Sequence, residues 1–251
     1  MQQALPTPAP SVLSTPDAGR KSMEQWFFVG LAAVVVCTVA VGFAPSLYLR
    51  GLGTEGLPPT LQTLPAYAWV HGVALTGWFL LFFAQTLLVA SGRARIHRRL
   101  GIAAVGFGLG VIVTTLVMVR HALDEPLRGS LREVPVAFFG TVAGVVQFAV
   151  LLGAALYFRG RPETHKRLMV LANVPLLGAA ISRVPGVFEH PSIILGAPLI
   201  LLLALIVRDL ALNRRLHPAT IWGGIVFLLG VMVLIGGFGQ SDLANDIVQA
   251  L

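Results

Sequence analysis

Long uncharged apolar stretches alternate with short polar segments along almost the whole chain, and the polar segments hold most of the arginines. A run of about 18 or more apolar residues reads as a membrane span, because ~20 residues rising ~1.5 Å each cross the hydrocarbon core. Seven stretches fit: Trp26 to Tyr48, Ala66 to Ala90, Leu100 to Val119, Val134 to Tyr157, Leu168 to Val184, Ile193 to Val207 and Ile221 to Gly237. Pro175 interrupts the fifth and Pro198 the sixth. The sixth, at 15 residues, is also the right length for a re-entrant or partly buried element. The pattern predicts an all-α membrane protein, a seven-span transmembrane helix bundle over residues 24–240. Residues 1–23, rich in Pro, Ser and Thr near the start, are expected to form a disordered cytoplasmic tail, and 241–251 a short outer tail.

Charge placement sets the expected orientation. With the N-terminus inside, the inner segments hold Arg20, Lys21, Arg93, Arg95, Arg98, Arg99, Arg159, Arg161, Lys166, Arg167, Arg208, Arg214 and Arg215, which is 13 of the 18 basic residues. The outer segments hold Arg50, Arg120, Arg128, Arg132 and Arg183. Cytoplasmic loops carry the excess of Lys and Arg, so the N-terminus is expected in the cytoplasm and the C-terminus outside. Only 12% of the residues are charged, against about 25% in a soluble domain. The net charge of +7 therefore reflects topology; nucleic-acid binding would need a basic soluble surface, and the pattern contains none. The expected partner of the inner cations is the anionic phospholipid of the cytoplasmic face of the bilayer. A membrane-protein partner or a second copy of the chain stays open.

Several chemistries are excluded. Cys37 is the only cysteine, so neither a disulfide nor a thiolate cage forms within one chain. The only lysines, Lys21 and Lys166, lie outside the spans, which rules out a retinal Schiff base. No Walker motif, no dinucleotide fingerprint and no H-E-x-x-H motif is present. The first apolar run is too long for the core of a cleaved signal peptide. Gly106 with Gly110, and Gly140 with Gly144, form two G-x-x-x-G faces that predict close helix contacts.

Candidate chemistry concentrates in a repeated motif. Arg95-Ile96-His97-Arg98-Arg99-Leu100 and Glu163-Thr164-His165-Lys166-Arg167-Leu168, 68 residues apart, each put a histidine and two cations where an outward-running span begins. Two histidines at equal depth on facing helices suit haem b, with Arg98 and Arg167 placed to pair with its propionates. The same cations suit lipid phosphates, with the histidines then acting as polar caps. A divalent metal is the other cofactor class, at an outer set of His71, His121 and His190 with Glu189, since imidazole and carboxylate suit Zn, Cu or Fe. His71, inside the second span, is a candidate further ligand or proton relay, because a titratable group at that depth is costly. Gln85, Gln147 and Asn173 are intramembrane amides, expected to bond between helices or to line a cavity.

Two resemblances follow from these residues. Phe43-Ala44-Pro45-Ser46-Leu47-Tyr48-Leu49, His71-Gly72, Trp78, Gln85-Thr86-Leu87-Leu88-Val89-Ala90, His97-Arg98-Arg99-Leu100-Gly101 and His165-Lys166-Arg167-Leu168-Met169 resemble a family of uncharacterised bacterial integral membrane proteins over roughly residues 24 to 237. That resemblance implies a multi-pass protein of the bacterial inner membrane and no particular reaction. More loosely, the chain is similar to di-haem transmembrane cytochromes b, which take one ligand pair from spans two and four and the other from three and five. His97 and His165 match the third-fifth pair, and His71 matches the second span. The fourth span departs from the pattern, offering Phe138, Phe139, Gly140 and Thr141 where a histidine is needed. The expectation is a haem- or metal-associated redox or cofactor-assembly protein. The alternative is a non-redox carrier for a lipid or small molecule, or a structural subunit of a membrane complex.

Overall fold

The computed structural model describes residues 16–53, 63–124, 133–184, 187 and 190–235. Every regular element among them is helical. The long helices are α1 (Pro16–Phe43), α2 (Ala66–Ala90), α3 (Ala94–Asp124), α4 (Glu133–Tyr157), α5 (Pro162–Ile181), α7 (Leu199–Asn213) and α8 (Pro218–Ile235), with a single short helix α6 (Pro191–Gly196) before α7. Helices thus occupy all seven apolar stretches. Four segments are long and apolar enough to cross a membrane, namely Met23–Tyr48, Ala66–Ala90, Ala94–His121 and Phe138–Gly160, which fits a membrane protein.

The boundaries depart from expectation where proline or charge intervenes. α1 starts at Pro16, so residues 16–23 of the expected tail are helical, and residues 1–15 and the 241–251 tail lie outside the described residues. A proline in the first helical turn loses no bond there, because its missing N–H would be unpaired anyway. The sixth stretch breaks at Ala197-Pro198 into α6 and α7. The 15-residue α7 spans only about 22 Å at 1.5 Å per residue, short of the ~30 Å core. At the end of α1, Pro45 cannot donate, and the backbone widens into a π turn over Ala44–Tyr48 in which Leu49 N–H reaches back five residues to Ala44 O at 2.8 Å.

α5 is the central element, packed against α1, α4, α7 and α8. Ten of its residues are buried, Arg167 and Asn173 among them. The tightest neighbours in the bundle are α2 with α3 and α4 with α5, the two hairpins that carry the repeated motif. Trp78 of α2 donates its indole N–H to Asn173 Oδ1 of α5 at 2.9 Å and meets Phe148 of α4 edge-on at 5.1 Å. Gln147 of α4 donates to Val226 O and Phe227 O of α8 at 2.8 and 2.9 Å. It approaches so closely that a Cβ at Gly230 would lie 1.9 Å from its Nε2. Two of the three intramembrane amides therefore bond between helices.

Of the glycines expected at close contacts, Gly144 of α4 lies against α5, where a Cβ would be 3.5 Å from Pro175 O, but Gly106 and Gly110 make no such contact. Gly106 and Gly110 face open space, and α3 approaches its neighbours through Gly108, where a Cβ would lie 2.6 Å from Leu152. Residues two apart on a helix point in nearly opposite directions, so a buried Gly108 turns Gly106 and Gly110 outward. The outer faces of the bundle are apolar, with Val34, Leu80, Ile102, Val113, Val150 and Leu203 all exposed. Exposed tryptophans and tyrosines gather at the two ends, Trp26, Tyr157 and Trp222 at one and Tyr48 and Trp69 at the other. Such girdles occur where amphipathic rings sit at headgroup level.

Candidate functional site

The end of the bundle where α3, α5 and α8 begin carries most of the charge. A left-handed Gly92 (φ 75°) closes the α2–α3 turn, and α3 begins two residues later. His97 is then the fourth residue of α3 and His165 the fourth residue of α5. This equal register puts the two imidazoles at one level. Their ring centroids are 6.5 Å apart with planes at 77°. His165 Nδ1 is 2.8 Å from Ala155 O, and a carbonyl can only accept, so Nδ1 carries the proton and Nε2 is left as the lone-pair nitrogen. His97 Nδ1 is buried without a hydrogen-bond partner among the described residues. So is Oε1 of Gln85, whose side chain is 7% exposed on the last turns of α2. Buried polar atoms are nearly always partnered, so these two orphans, from adjoining helix ends beside the histidine pair, leave donors or acceptors that a water or a bound group would complete.

The second half of the motif does different work. Arg167 is 1% exposed and Asp209 of α7 is 0% exposed, paired at 2.7 Å. Arg167 also bonds Glu163 at 2.7 Å. Asp209 Oδ2 accepts from Thr220 Oγ1 at 2.7 Å and from His217 N–H at 3.1 Å, which ties α7 to the start of α8. Glu24 of α1 joins the same network through Lys166 and Arg208. The expected role of Arg167 beside a propionate thus gives way to a structural one, because protein carboxylates surround its guanidinium and exclude solvent. Arg98 is exposed and remains open to a bound group. Nothing in the one-dimensional motif separates the two arginines; the partner Asp209, 42 residues away, does.

His217 is likewise structural. Its Nδ1 accepts the N–H of Ala219 at 3.1 Å, capping α8, which requires a neutral ring. Burial, and then the charge of Arg167, hold its pKa below the ordinary value, in keeping with that role. Glu163, which precedes the apolar part of α5, is also perturbed. Burial acts to raise its pKa, but hydrogen bonds and charge from Lys166 and Arg167 prevail and hold it at about 2, against an ordinary 4.5. Its folded value lies below its unfolded one, so its contribution to stability is full above pH 4.5 and is lost as the pH falls toward about 2. Melting curves from about pH 6 to about pH 3 are expected to fall more steeply for the native chain than for Glu163→Gln. Parallel curves would mean that the Glu163 contacts add no stability.

Among the described residues the expected outer metal set is not assembled. Among the described residues, no three His, Cys, Asp or Glu side chains come together to hold a metal ion. His71 of α2 is bonded to Thr114 Oγ1 of α3 at 3.1 Å, His121 lies stacked on Tyr67 at 4.1 Å, and His190 is exposed ahead of α6. The rings of His71 and His121 are taken up by local contacts, and Glu189 lies outside the described residues. What gathers at this end is a cavity of about 680 Å³ that includes His71 and Arg183 in its wall. Comparison with protein-family models, with curated proteins and with solved structures finds no match to this chain.

Proposed function

We propose that this is a redox-associated protein of a bacterial inner membrane, in which His97 and His165 form a paired-imidazole site for haem b at the cytoplasmic end of a seven-span bundle. The observation that carries the proposal is the 6.5 Å separation of the two rings. At that separation and equal level both imidazoles would hold the haem iron, which imidazole commonly ligates. The Ala155 carbonyl sets the tautomer of His165, the second-sphere bond that metal-bound histidines usually have. Exposed Arg98 would meet a propionate, and Gln85 would hydrogen-bond the group's edge or a water beside it. When bound, haem would supply one-electron transfer; the chain's own part is to fix two imidazoles at one depth and to shield them with helix ends. The inward-facing pair also argues against the histidines serving as headgroup caps, while exposed Arg95, Arg98 and Arg99 suit lipid phosphates.

The test is to purify the full chain from haem-replete cells and record reduced-minus-oxidised spectra with metal analysis. The expected result is a haem absorption that His97→Ala and His165→Ala each abolish and His71→Ala retains. A preparation with neither haem nor stoichiometric metal would sink the proposal, and loss through His71→Ala alone would move the site to the opposite end.

A further inference from the structure

The end of the bundle away from the histidine pair holds a second site with its own chemistry. Its cavity of about 680 Å³ lies within the usual size range of small-molecule sites. Polar groups in its wall include Thr63 beside Ser46, Tyr48, Tyr67, His71, Thr76 and Arg183, and most of the remaining wall is hydrocarbon. A smaller, almost wholly apolar cavity of about 230 Å³ shares Val39, Tyr48 and Thr76 with it. This extension is lined by Val36 and Ala40 of α1 and Phe79 and Leu80 of α2, so it descends the α1–α2 seam toward mid-bundle. Tyr48 and Thr76, hydrogen-bonded at 2.9 Å, line both spaces and stand between them, so a chain running from one to the other would part this pair. Together the two spaces have the outline of an amphiphile, a polar head with an apolar tail.

The polar groups specify the head. Arg183 lies over Phe43 at 4.8 Å and donates to Ala179 O at 2.5 Å, but it has no carboxylate partner among the described residues. A guanidinium has five donors, so most of its capacity is open to an anion. Thr114 Oγ1 donates its single proton to Gly110 O at 2.7 Å, so it can only accept from His71 Nδ1. The proton of His71 is thereby placed on Nδ1, and Nε2 is an acceptor. The head must then offer an anionic oxygen to Arg183 and an O–H to His71. A singly protonated phosphate monoester offers both; a carboxylate offers only the first. The π turn of Ala44–Tyr48 contributes to this geometry by turning Ser46, Leu47 and Tyr48 into the wall. Gly72 of α2 lets that turn approach, since a Cβ there would lie 3.0 Å from Leu47.

We propose that this chamber binds an amphipathic phosphate monoester, its head between Arg183 and His71 and its hydrocarbon tail in the groove between α1 and α2. The site is independent of the histidine pair.

The full chain in phosphatidylcholine nanodiscs is titrated with dodecyl phosphate, with dodecanoate, dodecanol and inorganic phosphate in parallel. Saturable binding of dodecyl phosphate is expected, with the other three at least about tenfold weaker, as loss of a charge-assisted hydrogen bond implies. Arg183→Gln should weaken dodecyl phosphate about 10- to 100-fold, with partial recovery in Arg183→Lys. Ala40→Trp, on an exposed flank of α1, should fill the groove and weaken dodecyl phosphate while leaving inorganic phosphate unchanged; it carries the test if Arg183→Gln does not fold. Equal binding of inorganic phosphate would overturn the lipid assignment, and equal binding of dodecanoate the phosphate assignment. Binding indifferent to both Arg183→Gln and Ala40→Trp would leave only unspecific lipid contact and overturn the site itself.

Discussion

Asp209→Ala is expected to destabilise the fold by about 3–5 kcal/mol, the range found when one partner of a buried ion pair is removed. The cost comes from what stays behind. Arg167, 1% exposed at the start of α5, cannot recover water when its carboxylate is lost, and Thr220 Oγ1 and the backbone N–H of His217 lose their acceptor in the same step. Helices α5, α7 and α8 are joined at this point, so their ends should loosen together. Asp209→Asn, which keeps an acceptor but not the charge, should fall between the native chain and Asp209→Ala. Combining Asp209→Ala with Arg167→Leu should recover a large part of the loss, because the orphaned charge leaves with its partner. Denaturation of the detergent-solubilised chain measures all three. A loss below about 1 kcal/mol for Asp209→Ala would mean that water reaches the pair and that it behaves as a surface bridge.

Trp78→Ala should cost a similar amount, about 3–5 kcal/mol, and Trp78→Phe clearly less. Trp78 is 1% exposed and touches two helices besides its own, bonding Asn173 of α5 and packing edge-on against Phe148 of α4. Lipid tails are as apolar as the core, so little of the cost is transfer from water; it is lost contact around a cavity and an unpaired amide oxygen. Trp78→Phe restores most of the volume but leaves Asn173 Oδ1 without its donor, a penalty of about 1–3 kcal/mol. The difference between the two variants separates packing from hydrogen bonding. Equal losses would place the whole effect on the hydrogen bond.

The histidine site was half legible along the chain. The repeat of His97 and His165 at the head of two apolar runs marked both residues and matched their depth, because helix register translates sequence position into height. The repeat could not say that the rings face each other, since that depends on which side of α3 meets α5 across the bundle. The same limit explains the errors. Arg98 and Arg167 hold similar places in the motif, yet one is exposed and the other enclosed by Asp209 and Glu163. Gly106 and Gly110 had the small-residue spacing of a contact face, but Gly108 makes the contact. The outer histidines had the right chemistry for a metal, but His71 and His121 are each engaged with a neighbour of their own.

Helical class, the places of the helices and the clustering of cations at one end follow from the sequence by itself, because each depends on local composition and on the length of an uncharged run. Partnership was decided only by the tertiary structure. The ion network of Glu24, Glu163, Lys166, Arg167, Arg208 and Asp209 joins three helices far apart in the chain. The Arg183–His71 chamber exists because a π turn, a glycine and two helix ends converge. A side chain's role in such places depends on what lies within a few ångströms of it, and in a bundle those neighbours come from the packing angle of helices, which no single stretch of sequence encodes.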